Sequence, residues 1–238
     1  MSSLLSYVVN ETDTDKELKQ LTNLEILDCD NNHNFTDEGI KNLTNLQILY
    51  CGYNSNFTDE GIKKLTNLQV LHCGYNNRNF TDEGIKQLTN LRELYRGKNE
   101  NFTDKGIKHL SNLQTLSCFN NTNFTDECLK HLTNLQRLYC EDNKNFTDEG
   151  IKHLTNLRKL DCGKNSNFTN EGIKNLTNLQ EVVCKHDSNF TNEGIKHLTN
   201  LIITRRRQHI CPEAKYLQMK MRKEQDSQPT TSTKFVVV

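Results

Sequence analysis

A chain of 238 residues with 34% hydrophobic and 25% charged residues, no Trp and two Pro is lean in apolar material for a globule with one central core. Its Asn residues are abundant but recur at fixed places, which excludes a low-complexity polar tract of the disordered kind. The formal charge sums to zero, and no stretch approaches the roughly 20 apolar residues of a membrane span.

Residues 1–20 read as an N-terminal cap and half-repeat. The opening MSSLLSYVVNETD lacks a basic n-region, and its apolar run from Leu4 to Val9 is too short and broken for a signal peptide. The chain therefore reads as cytoplasmic, with its nine Cys as reduced thiols. In the string TDTDKEL, Thr14 is placed as a helix cap, which leaves the first residues to cover the edge of the core.

Residues 21–204 hold eight repeats and a partial ninth. Leu21, Leu43, Leu65, Leu88, Leu110, Leu132, Leu154, Leu176 and Leu198 each open the string L(T/S)NL, spaced 22 apart except for one 23-residue unit with an extra residue near Asn77 and Arg78. The shared pattern is LTNLxxLxCxxNxNFTDEGIKx. In xxLxCx alternate side chains point to opposite faces of a short strand, so the Leu and Cys columns face inward and the variable columns outward. Thr36 and its equivalents are placed as N-caps, with Asp37 and Glu38 in the first helical turn and Lys41 four residues after Asp37. That order predicts a surface helix of about two turns, with Ile40 and Leu43 toward the core. One unit cannot bury its apolar edge alone, so the repeats are stable only as a stack.

The first twelve positions of the unit match LxxLxxLxLxxN with Cys in place of the last Leu, and the chain on this pattern resembles the leucine-rich-repeat family. The resemblance implies an α/β horseshoe solenoid with a parallel concave sheet and short convex helices, a buried asparagine ladder, and a non-catalytic scaffold that binds a protein partner on its concave face. The segment FTDEGIKxL is similar to one in the cysteine-containing subclass found in F-box substrate receptors, which implies as an alternative a substrate receptor of a ubiquitin ligase. The repeat here is shorter than that subclass uses, its Cys sits at the inward strand position, and no F-box precedes the repeats. The Asn-rich wording is also similar to repeat proteins of giant viruses that infect amoebae, which implies the host cytoplasm as location.

Most repeated positions have a structural reading. Asn32, Asn54, Asn76, Asn99, Asn121, Asn143, Asn165 and finally Asp187 are expected to satisfy buried backbone groups rather than form a recognition strip. The eight NFT strings are formal glycosylation acceptors in which Phe reads as core and Thr as cap. The column Cys29, Cys51, Cys73, Cys118, Cys140, Cys162 and Cys184 reads as small hydrophobes, without the CxxC or His pairs that a metal needs. Arg96 breaks that column, and a guanidinium is costly to bury; a local distortion or escape of its side chain to the rim is expected. Cys128 stands in the Gly column. His109, His131, His153 and His197 share a helical column with Asn and Lys, and read as solvated.

Information about a partner lies in the outward columns. Tyr50, Tyr53, His72, Tyr75 and Tyr95, with Ile48, Val70 and Ile26 beside them, are expected to form an exposed aromatic and aliphatic patch over repeats two to four, with Gly52, Gly74 and Gly97 leaving the backbone open. Tyr139 continues the column. Glu93, Arg137, Glu141, Asp142, Lys159 and Lys164 suit a polar rim; the competing reading is that Tyr merely covers the sheet. No outward set combines a nucleophile, a base and an orienting group, so no catalytic residue, metal or cofactor is expected.

Residues 205–225 read as a basic helix starting at Pro212, and 226–238 as a disordered tail. From Arg205 onward eight Lys or Arg stand against three Asp or Glu. Arg205, Arg206, Arg207, Lys215, Lys220, Arg222 and Lys223 thus allow contact with nucleic acid or an acidic membrane surface, while capping of the last repeat is the other reading. The oligomeric state is open.

Overall fold

The computed structural model describes residues 5–10, 12–54, 56–74, 79–97, 99–165, 167–185, 189–191 and 195–205. Ten strands form one open parallel sheet in sequence order: β1 Ser6–Val8, β2 Ile26–Asp28, β3 Ile48–Tyr50, β4 Val70–His72, β5 Glu93–Tyr95, β6 Thr115–Ser117, β7 Arg137–Tyr139, β8 Lys159–Gly163, β9 Glu181–Cys184 and β10 Ile202–Arg205. Among the described residues eight single-turn helices follow the first eight strands: α1 Asp15–Leu18, α2 Asp37–Ile40, α3 Asp59–Ile62, α4 Asp82–Ile85, α5 Asp104–Ile107, α6 Asp126–Leu129, α7 Asp148–Ile151 and α8 Asn170–Ile173. Helices of four residues are shorter than the two turns the sequence suggested. The chain leaves each helix at once through the LTNL turn, where Leu43 N–H donates to the Ile40 carbonyl at 2.9 Å and Leu46 N–H to the Leu43 carbonyl at 2.9 Å.

Each unit buries one inward set. In the first full repeat Leu24, Leu27, Cys29, Phe35, Ile40 and Leu43 are all buried. The register aligns equivalent residues, as in Ile26 with Ile48 and Ile48 with Val70. Most strands are three residues long, and the backbone turns near the inward Cys; Cys29 Sγ lies 3.2 Å from the Tyr50 carbonyl of the next repeat.

The helical half carries a second ladder. The N-cap Thr58 donates through its backbone N–H and its hydroxyl to Asp37 of the preceding helix, at 2.8 and 2.6 Å, while its hydroxyl accepts from Glu60 N–H at 3.2 Å. The same pair recurs down the stack as Thr36 with Asp15, Thr81 with Asp59 and Thr103 with Asp82. This corrects the expected pairing of Lys41 with Asp37. Lys41 pairs with Glu38 instead, because the Asp is already turned to the next repeat.

The ladder also explains the helical Gly. A Cβ on Gly61 would stand 2.4 Å from Asp37 Oδ1, and one on Gly39 2.4 Å from Asp15 Oδ1. Among the described residues no helix precedes α1, and Glu17 closes a capping box with Thr14, accepting from its backbone N–H and hydroxyl. β1 pairs with β2 and extends the sheet at its first edge. Asp13 stands where later units have Phe, and Tyr7 fills out the core edge from β1, its hydroxyl donating to Asp13 at 2.8 Å.

The Asn column is a buried ladder. Asn54 Nδ2 donates to the Asn32 carbonyl at 2.8 Å, and Asn32 Oδ1 accepts from Asn34 and Phe35 N–H. In the NFT strings Phe35 is buried and Thr36 caps the helix, and the Asn side chains bond back to the previous unit, as Asn56 does to the His33 carbonyl at 2.6 Å. Arg96 does not escape to the rim. It is fully buried, caged by the carbonyls of Asn99 and Phe119, with its guanidinium 5.5 Å from the centroid of the Phe124 ring. Among the described residues no helix is long and apolar enough to cross a membrane. The expected basic helix and tail, with Arg206, Arg207, Lys215, Lys220, Arg222 and Lys223, lie outside the described residues, as do Tyr75, Asn76 and Asp187.

Candidate functional site on the concave sheet

Two outward columns cross the sheet. One runs through Asp28, Tyr50, His72, Tyr95, Ser117, Tyr139 and Asp161, the other through Ile26, Ile48, Val70, Glu93, Thr115, Arg137 and Lys159. Strands about 4.8 Å apart bring neighbouring rings of one column together. Tyr50 and His72 have ring centroids 5.9 Å apart, and His72 and Tyr95 5.4 Å, both tilted. His72 is held between two tyrosines and is only 4% exposed. Ile48 and Val70, like Tyr50 and Tyr95, are half-buried.

That packing modifies the expected exposed patch. The rings cover one another and present edges and hydroxyls rather than open faces; among the described residues the one large hydrophobic that stands exposed is Ile202, on the last strand. Tyr53 is not on the strand at all. It lies in the turn after Cys51 with φ of +63°, in the left-handed region that Asn31, Asn120 and Asp142 adopt at the same position of other repeats. Gly52, Gly74 and Gly97 are buried, so they do not open the backbone as expected. The strand ends at Tyr50, three residues before Tyr53, so the alternation of a strand does not govern that position.

Among the described residues the charged half forms three sets of contacts. Arg137 bridges β5 to β7 by bonding Thr115 through Nε at 3.0 Å and Glu93 through Nη2 at 3.1 Å, over the small buried residues Thr115 and Ser117. Tyr95 donates its hydroxyl to the other Glu93 oxygen at 2.9 Å. Lys159 pairs with Glu181 at 2.5 Å and lies 5.9 Å from the Tyr139 ring centroid, and Lys185 reaches Glu141 at 3.4 Å. Burial and then the Glu93 carboxylate push the Tyr95 phenol well up from its ordinary value, and burial raises that of Tyr139. Both phenols are therefore neutral donors at physiological pH. The sequence names Glu93, Arg137, Glu141 and Lys159 singly; the reach of Arg137 to Glu93 across β6 depends on register and on the small residues between them.

Other groups are committed elsewhere. A groove of about 750 Å³ runs along the rim where the chain enters the strands, lined by Glu25, Gln47, Gln69, Arg92, Gln114 and a row of Asn. That row is tied to the stack, as Asn67 Nδ2 is to the Thr44 carbonyl at 2.9 Å. The Cys column is buried and unbridged, and burial drives the thiols of Cys51 and Cys140 far above their ordinary value. Among the described residues no group of three His, Cys, Asp or Glu could hold a metal ion. His109, His131 and His153 are exposed.

No family model matches the chain, and no curated protein matches it. Among solved structures, an internalin C2 from Listeria monocytogenes strain 4b F2365 is similar, with a TM-score of 0.64 at 28% sequence identity, over 82% of this chain and 84% of that one. It shares with this chain the stacked parallel strands and short helices described above.

Proposed function

The chain is a leucine-rich-repeat solenoid, and from that premise we propose that it is a non-catalytic scaffold that binds a protein partner along the concave strip from Tyr50 to Tyr139. The observation that carries this reading is the contact of Tyr50, His72 and Tyr95 across three strands, in columns whose identity the stack does not dictate. Inward Leu, Cys, Phe and Ile, the Asn ladder and the Thr–Asp ladder account for nearly every repeated letter. The outward columns change from unit to unit and so are free to follow a partner.

The strip has the composition of an interface centre. Rigid aromatic rings supply contact area at small entropic cost, with hydroxyls at their edges. The Glu93–Arg137 pair beside it is held in place before any partner arrives, which limits the ordering cost on binding. Ile48 and Val70 extend the apolar edge, and Tyr53 stands at the turn position bordering it.

The test is an affinity pulldown with the triple variant Tyr50→Ser, Tyr95→Ser, Tyr139→Ser beside wild type and a convex control, Lys105→Ala, after circular dichroism has shown all three folded. A partner held by wild type and control should be lost from the triple variant, since central aromatic contacts each weaken binding by about tenfold or more when truncated. Retention of every specific partner by the triple variant would overturn the concave-strip reading.

A further inference from the structure

The middle of the stack departs from its own bonding rules around two substitutions, Arg96 and Cys128. Arg96 occupies the inward slot that Cys fills in the seven other full repeats. Its backbone N–H reaches the Ser117 carbonyl at 3.5 Å, where the equivalent bonds from Cys29, Cys51, Cys73, Cys118 and Cys140 measure 2.8 to 2.9 Å. Its guanidinium donates to the carbonyls of Asn99 and Phe119 and packs on the Phe124 ring.

The asparagine ladder loses two rungs there. Asn32, Asn54 and Asn165 reach back through Nδ2 to carbonyls 22 and 19 residues earlier, Asn165 to those of Asn143 and Phe146 at 2.7 and 3.2 Å. By those offsets Asn121 would take the carbonyls of Asn99 and Phe102, and Asn143 those of Asn121 and Phe124. The Asn99 carbonyl is occupied by Arg96, and Phe124 is the ring beneath the guanidinium. Nδ2 of Asn121 and Nδ2 of Asn143 are both buried without a hydrogen-bond partner. In the same fifth repeat Cys128 replaces the helical Gly, and the Lys130 N–H to Asp126 carbonyl bond stretches to 3.3 Å, against 2.9 Å at Lys63.

In a stack each repeat touches only its neighbours, so cooperativity passes through successive interfaces and is lost at the weakest. We propose that the stretch from Arg96 to Asn143 is a built-in joint that divides the solenoid into two cooperative units and opens locally in the native protein. The joint crosses the concave strip, with Tyr50, His72 and Tyr95 before it and Tyr139 inside its far end. Its opening therefore changes the spacing of the surface a partner would meet.

Hydrogen exchange of the full chain, read by mass spectrometry under native conditions, tests this without a partner. Peptides over residues 96–121 should exchange about tenfold faster or more than peptides over the matching turns 51–54 and 162–165, as sub-global opening requires. Arg96→Cys, which restores the slot to its usual occupant, should abolish most of that difference. Equal exchange at the three places in wild type would overturn the proposal, as would faster exchange at 96–121 in the variant, because the guanidinium would then be a staple. Should the variant not fold, the wild-type comparison still decides.

Discussion

Replacing Gly61 by Ala in α3 sets two physical effects of opposite sign against each other. Helix propensity alone makes Ala better than Gly by about 1 kcal/mol. The new Cβ, however, would stand 2.4 Å from Asp37 Oδ1 and 3.1 Å from Ile40 Cδ1, and the Asp37 carboxylate holds Thr58 through bonds of 2.8 and 2.6 Å. A hydrogen bond to a charged group contributes about 1.5–3 kcal/mol. Weakening this pair, or loosening the helix to spare it as at Cys128, should outweigh the propensity gain. The expected result is a net destabilisation of about 1–2 kcal/mol, read as a lower urea midpoint by circular dichroism with an unchanged slope. In an Asp37→Ala background the obstacle is gone, and the same substitution should stabilise by up to about 1 kcal/mol. A stabilising Gly61→Ala in the wild-type background, or an equal cost in both backgrounds, would show that the Thr–Asp ladder does not select Gly.

Two further outcomes follow from the same structure. Asn170 stands where seven earlier units have Asp, and Thr191 N–H and the Asn170 amide bond across it at 3.1 and 2.8 Å; Asn170→Asp should raise the urea midpoint by the equivalent of about 0.5–1 kcal/mol through a charge-assisted rung at a helix start, and a fall in midpoint would count against the ladder. Burial and the bond to Asp13 raise the Tyr7 phenol to about 12 from 10.0. The folded state thus keeps a proton that the unfolded state gives up, so this contribution is complete below pH 10 and is lost as pH climbs toward 12. Tyr7→Phe should lose less stability than wild type between those pH values; parallel curves would refute the assignment.

Much of the fold was legible because the repeat states it eight times over. The inward columns, the Thr N-cap, the core Phe and the buried Asn each follow from a local rule, and each stands where that rule puts it. Helix length and the partner of Lys41 were misread because the Asp ladder binds the next unit, a contact between residues 21 apart in sequence. Desolvation predicts either a local distortion at Arg96 or its escape to the rim; it stays buried against turn carbonyls and the Phe124 ring, with its backbone bond to Ser117 stretched to 3.5 Å.

The amino-acid sequence by itself determined the repeat length, the stacked parallel sheet and the identity of every inward column, since burial and capping act within one unit and its copy. It also isolated the few columns where a partner could be encoded. Only the tertiary structure decided which of those side chains meet. Tyr50, His72 and Tyr95 pack because parallel register aligns them, Tyr53 drops into a left-handed turn because the strand stops at Tyr50, and Arg137 reaches Glu93 because Ser117 and Thr115 leave room between. Contacts across repeats are set by strand spacing and by the size of the residue between, quantities that no single unit of the sequence contains.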